Sequence, residues 1–194
     1  MLRERKKRET REAIAETALE LFIQRGFDGT TVDEIAEAAA VSRRTVFRYF
    51  ETKEALLFAS QELRLAHFRE LLSRREWGES ALACVRRACL DMAALYVEER
   101  ETILALHRIV ESSSTLIAYD QRFDAAWEGA VLDALLAGVP ESNAARHREA
   151  RWVAGALVGV VRVTLRDWVR GGGQGALLEL GAEALGFLRF KGWE

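Results

Sequence analysis

Residues 31–53 read TVDEIAEAAAVSRRTVFRYFETK and carry the strongest structural signal in the chain. Val32, Ile35, Ala36 and Ala39 recur at helical spacing and predict the buried stripe of a short helix. Thr31, with Glu34 three residues on, has the form of a capping box and sets where that helix begins. Ser42 is suited to cap a second helix whose first turn holds Arg43, Arg44 and Thr45. Val46, Phe47 and Phe50 supply its apolar contacts, while Arg48, Tyr49 and Lys53 stay polar. Two short helices around a tight turn, the second rich in cations and hydrogen-bonding groups, suit the major groove of DNA.

The flanking sequence extends the helical pattern in both directions. Upstream, a helix is expected from about Glu4 to Arg25, with Ile14, Ala18, Leu21 and Phe22 on its inner face and Gly26 as its stop. Phe27 would plug the small core between this helix and the next two. Downstream, Thr52 can cap a helix that starts at Lys53–Glu54 and is expected to run unbroken to about Arg75, joining the two halves of the chain. Trp77–Gly78 breaks the pattern. Further helices are expected over about 81–96, 100–111, 119–137, 142–170 with Ser142 as cap, and 176–190. Ser112–Ser114 reads as a kink or loop. The glycines at 171, 172, 173 and 175 follow no strand and precede no Lys-Ser/Thr, so they read as a helix breaker.

Composition points the same way. Of 194 residues, 49% are hydrophobic and one, Pro140, is proline, which fits a folded, all-helical chain. The expected architecture is all-α: a three-helix helix-turn-helix domain over 1–53, joined by a continuous helix to a larger helical domain over 54–194. A formal net charge of −2 excludes a protein that coats nucleic acid indiscriminately, so any DNA binding must come from a local patch. One such patch is the run Arg3, Arg5, Lys6, Lys7, Arg8 and Arg11, set against Glu4 and Glu9. Alone it reads as a solvated, frayed terminus; beside a helix-turn-helix it also reads as an electrostatic arm reaching phosphates.

Cys84 and Cys89, the only cysteines, lie five apart on different sides of a helix without zinc-type ligand spacing. They read as small core residues in a reduced cytosol, and no metal or cofactor is expected. The N-terminus lacks the apolar core of a signal peptide. The longest apolar stretch, Val153–Val161, is too short to cross a bilayer, and the protein is expected to be cytoplasmic with no membrane partner.

The run TREAIAETALELFIQRGFDGTTVDEIAEAAAVSRRTVFRYFETKEALL, Thr10 to Leu57, resembles the DNA-binding domain of the TetR family of transcriptional regulators. The segments ALELF, RGF, T-x-x-E-I-A, V-S-R-x-T and F-R-Y-F-x-x-K-E carry the match; the rest is similar only in length and helical layout. The resemblance implies a homodimer with two DNA-binding heads and a helical domain that binds a small-molecule effector. It places Ser42, Arg43, Arg44, Thr45, Arg48 and Tyr49 where the family's recognition helix touches DNA. Lys53 falls at the lysine that meets a phosphate, and Thr31 at the capping threonine near the backbone. Arg44 and Thr45 are the first candidates for base edges. Arg43 is equally a phosphate ligand, and Arg48 has a second reading as a solvated face residue.

Two positions depart from the family pattern. Ala40 stands where glycine is common, at a cost of about 1 kcal/mol if the residue is left-handed. Arg44 replaces a small residue and adds a donor able to read a guanine edge.

No catalytic residues are expected. His67, His107 and His147 are scattered, and the serines after His107 lack a nucleophile elbow. For an effector pocket, Met92, Phe123 and Trp127 are candidate lining residues, with His107, Glu111 and Arg166 as polar candidates. For the aromatic positions ordinary core packing is an equal reading. In the 142–170 helix, Val153, Leu157, Val160, Val161, Thr164, Leu165 and Trp168 form one stripe, and Gly155 and Gly159 give a second face. The resemblance implies self-pairing through this helix and 176–190.

The function expected is a ligand-released repressor acting as a homodimer on a palindromic operator. Two other readings stay open: a helical small-molecule-binding or enzyme-like protein with a vestigial helix-turn-helix, and a ligand-independent activator of the same family.

Overall fold

The computed structural model describes the backbone of residues 2–193 and the side chains of residues 5–193. The side chains of Arg3 and Glu4, part of the basic run, lie outside the described residues. The described residues form ten helices and no strand: α1 Leu2–Arg25, α2 Val32–Ala38, α3 Arg43–Tyr49, α4 Lys53–Leu57, α5 Ala59–Ser73, α6 Ala81–Glu98, α7 Arg100–Glu111, α8 Ser114–Leu136, α9 Ala144–Arg170 and α10 Leu177–Phe187. The chain is all-α, as its composition and periodicity require. None of these helices is long and apolar enough to cross a membrane.

Two compact units are present. The first comprises the chain through Leu63 together with Ala105–Asp120; the second comprises Arg64–Leu104 and Gln121–Glu194. The compact division therefore differs from the expected boundary after residue 53, because part of α7 and the start of α8 belong with the helix-turn-helix.

In the first unit, Ile14, Ala18 and Phe22 of α1, Ile35 of α2, Val46 of α3 and Phe50 are fully or almost fully buried. Phe27 packs its ring 5.1 Å from that of Phe22. Gly26, at φ +78°, ends α1, and its N–H still reaches the Phe22 carbonyl at 2.9 Å. The expected break-free helix from Lys53 is interrupted at Phe58. Its amide keeps the helical bond to the Glu54 carbonyl, but the Gln61 N–H closes a tighter turn onto the Phe58 carbonyl. The cause is tertiary: Phe58 is buried and stacked 4.9 Å from the Tyr119 ring, and Gln61 donates to Asp120 at 2.6 Å.

In the second unit, α5, α6, α8 and α9 close around Phe68, Leu82, Val85, Val131, Val153 and Leu157. Helix α8 begins at Ser114, earlier than expected. Asn143, not Ser142, caps α9: its side-chain oxygen accepts from the Arg146 N–H at 3.1 Å, after a turn in which the Asn143 N–H reaches the Pro140 carbonyl. Helix α10 ends at Phe187, and the tail folds back so that Trp193 is buried beneath the Arg146 guanidinium, 3.3 Å from the ring centroid.

Candidate nucleic-acid interface

The turn between α2 and α3 is a Schellman closure. The Val41 N–H reaches the Ala36 carbonyl at 2.9 Å and the Ala40 N–H reaches the Glu37 carbonyl at 3.0 Å. Ala40 holds φ +53°, a left-handed conformation that normally calls for glycine. Both helices are capped as their sequences require. The Thr31 hydroxyl accepts from the Glu34 N–H, and the Glu34 carboxylate accepts from the Thr31 N–H at 2.8 Å. Those Thr31 hydrogen bonds, above all the backbone one, hold the Glu34 carboxyl below its ordinary range. The Ser42 hydroxyl accepts from the Thr45 N–H at 3.1 Å and lies 2.9 Å from the Thr45 hydroxyl.

These caps fix which side chains α3 presents. Val46 turns inward and is fully buried, while Ser42, Arg43, Arg44, Phe47 and Arg48 are exposed. Phe50 is core. Phe47, expected among the apolar contacts of this helix, is instead 42% exposed, with the Arg43 guanidinium 5.5 Å from its ring centroid.

The cations differ in what already holds them. Arg43 pairs with Asp33 at 2.6 Å, and Arg48 lies over the Tyr49 ring at 5.0 Å. Lys53 is half-buried, its ammonium 4.3 Å from the Phe27 ring centroid. Arg44 is exposed and has no ion pair or hydrogen bond among the described residues. Asp33 was not singled out by sequence, because an ion pair between two helices has no local spacing to signal it.

The candidate effector residues fall in both units. Met92 is buried in the core of the second unit. Trp127 is half-buried and tilted against Phe68, with centroids 5.0 Å apart. Phe123 is also half-buried on α8. Arg166 is exposed on α9, its guanidinium 3.8 Å from the neighbouring Asp167. His107 and Glu111 belong to the first unit and face each other one turn apart on α7, at 3.6 Å. Within the second unit, α9 and α10 also border an open groove of about 440 Å³ lined by Val160, Val163, Leu180 and Phe187 among others.

A capped helix-turn-helix presenting arginines from its second helix defines a DNA-binding regulator. Residues 14–60 match the family described as "Bacterial regulatory proteins, tetR family". The HTH-type transcriptional regulator TcmR of Streptomyces glaucescens is 32% identical over 175 residues, which cover 86% of this chain and 76% of TcmR. FadR of Thermus thermophilus, a TetR-family repressor solved in complex with lauroyl-CoA, is 28% identical with a TM-score of 0.56, covering 92% of this chain and 95% of its own. NalD of Pseudomonas aeruginosa, a repressor of a multidrug efflux pump, shares the fold at 20% identity and a TM-score of 0.67, over 96% of this chain and 100% of its own. The chain belongs to the TetR family of transcriptional regulators.

Proposed function

We propose that the protein is a cytoplasmic, effector-released repressor that binds a palindromic operator as a homodimer. The observation that carries the reading is the exposed face of α3, where Arg44 is committed to no partner among the described residues. Arg44 and Thr45 address base edges; Arg43, Arg48, Tyr49, Lys53, Thr31 and Ser42 position the sugar–phosphate backbone. Arg43 exchanges Asp33 for a phosphate on binding, since an exposed ion pair holds a side chain weakly.

Self-pairing is supported by what α9 and α10 leave uncovered. Val153, Leu157 and Trp168 are consumed by the core of their own unit, while Val163, Leu180 and Phe187 remain exposed. A methyl group added at Gly159 would meet nothing within 4 Å, so that glycine relieves no contact inside the described chain. This leaves room for the close approach of a second copy. The effector reading rests on the family and on the lauroyl-CoA bound by the Thermus FadR; within the second unit its candidates are Met92, Phe123, Trp127 and Arg166, and within the first, considered by itself, His107 and Glu111. Release requires the effector to bind the DNA-free conformation more tightly than the DNA-bound one.

The test is selection of binding sequences from random duplex DNA by the purified protein. The expected product is an inverted repeat with half-sites about 34–36 Å apart or a multiple of it. Enrichment of no sequence overturns the reading, and enrichment of a single unrepeated half-site overturns the dimer.

A further inference from the structure

Phe47 is the large apolar side chain that α3 exposes to solvent. Val46 and Phe50, four residues apart, form the packed side of the helix and are buried. Phe47 follows Val46 by one residue, so its side chain points away from that packed side. Helical spacing instead makes it the neighbour of Arg43, four residues back, and of Arg44, three residues back. The Arg43 guanidinium lies 5.5 Å from the ring centroid, and Asp33 of α2 holds that guanidinium at 2.6 Å. Arg44 and the adjoining Arg48 are both exposed. The outer face of α3 is therefore an aromatic ring framed by guanidinium groups.

An exposed aromatic ring is ordinary by itself, but one framed by cations restricts what can cover it. An apolar protein surface would strip water from the arginines without pairing them, at a large cost in free energy. A uniformly polar polyanion would pair the arginines and leave the ring against hydrated groups. The partner that satisfies both is anionic along its rims and carries an isolated apolar group between them. The major groove of duplex DNA has this composition. Phosphates border it, its base edges are otherwise hydrogen-bond donors and acceptors, and the apolar group among them is the 5-methyl of thymine.

We infer that Phe47 is a specificity-determining residue that packs on the 5-methyl group of one thymine in each half-site. This contact is distinct from the base-edge roles of Arg44 and Thr45, and it rests on the DNA-binding reading above. Its test takes the duplex that the unaltered protein selects and replaces each thymine in turn by deoxyuridine. The replacement removes the methyl group and keeps the pairing hydrogen bonds, and it needs no variant to fold. At one thymine position affinity should fall about four-fold per half-site, the worth of one buried methyl group. At the other positions it should not change. Phe47→Ala should lose the distinction between thymine and uracil at that position, and Phe47→Leu, which keeps an apolar side chain, should retain it. A selected duplex in which no replacement matters overturns the contact. A methyl effect that persists in Phe47→Ala also overturns it and gives the methyl group to another side chain. A sedimentation shift of Phe47→Ala without DNA would assign the ring to a protein surface, with the same result. If the unaltered protein selects no sequence, the DNA-binding reading itself fails and the contact falls with it.

Discussion

The helix-turn-helix and the α9–α10 region each expose residues that ordinary globular surfaces use sparingly, but of opposite kinds. The first is built from helices of seven residues with an explicit cap at each start, and its exposed residues include Arg43, Arg44 and Arg48. The second is built from a helix of 27 residues and one of 11, and its exposed residues include valine, leucine and phenylalanine. A charged surface is soluble by itself and gains from a polyanion. An apolar groove gains only by excluding water, so its partner must be apolar and shape-matched. The two regions therefore answer to different measurements, salt dependence for one and oligomeric state for the other.

The largest effect is expected where the apolar surface is spoiled. Val163→Asp with Phe187→Asp adds two charges to groove-lining positions that are exposed in a single copy. Each chain should fold, with an unchanged far-ultraviolet spectrum, while sedimentation shifts to the monomer. Two linked heads gain roughly 10²- to 10⁴-fold over one, and that gain should disappear from operator binding. A variant that remains dimeric would move the self-association surface elsewhere.

Next comes the charged surface. Arg44→Ala should cost about 1–3 kcal/mol at one base pair of each half-site and little at the others, read by competition with single-substituted operators. Lys53→Ala should weaken all sequences alike. It should also lower the melting temperature, because its ammonium packs on Phe27 in a cation–π contact worth about 0.5–2 kcal/mol for a half-buried cation. Equal losses on every duplex for both variants would erase the division between reading and positioning.

A smaller change concerns the backbone. Ala40→Gly removes the side chain from a left-handed position closed by two hydrogen bonds and should stabilise the protein by up to about 1 kcal/mol. Chemical denaturation measures it. Destabilisation would mean that the freedom glycine adds to the unfolded chain outweighs the relieved strain.

Ala40 also shows why the head was legible in sequence. Caps, the capping box and the turn are decided by residues within about five positions of each other, so the letters Thr31, Glu34, Ser42 and Thr52 sufficed. The interruption at Phe58 was not legible, since it follows from stacking on Tyr119, far along the chain. Asn143 displaced Ser142 as a cap because a turn from Pro140 moved the helix start by one residue. The effector candidates were least legible of all. Periodicity marks Met92 and Trp127 as inward-facing, and the same signal serves a packed core and a pocket wall; the contacts of both are with core residues of their own unit.

The smallest expected effect lies in the second unit, in the loop after α5, where charge serves structure alone. Glu79 accepts from the Arg87 guanidinium at 2.9 and 3.0 Å and from the Glu76 N–H at 3.0 Å, closing the Trp77–Gly78 turn onto α6. The Arg87 hydrogen bond, foremost, brings the Glu79 carboxyl from 4.5 down to about 2. A carboxyl lowered on folding binds its proton more readily in the unfolded chain, so its stabilisation is complete above about pH 4.5 and is lost as the pH falls toward 2. Glu79→Gln keeps an acceptor for the Glu76 N–H and loses the charge. The difference in urea midpoint between the unaltered protein and this variant should be constant above pH 4.5 and shrink steadily below it. A difference that stays constant down to pH 2 would assign the role of Glu79 to its backbone acceptor and not to the ion pair with Arg87.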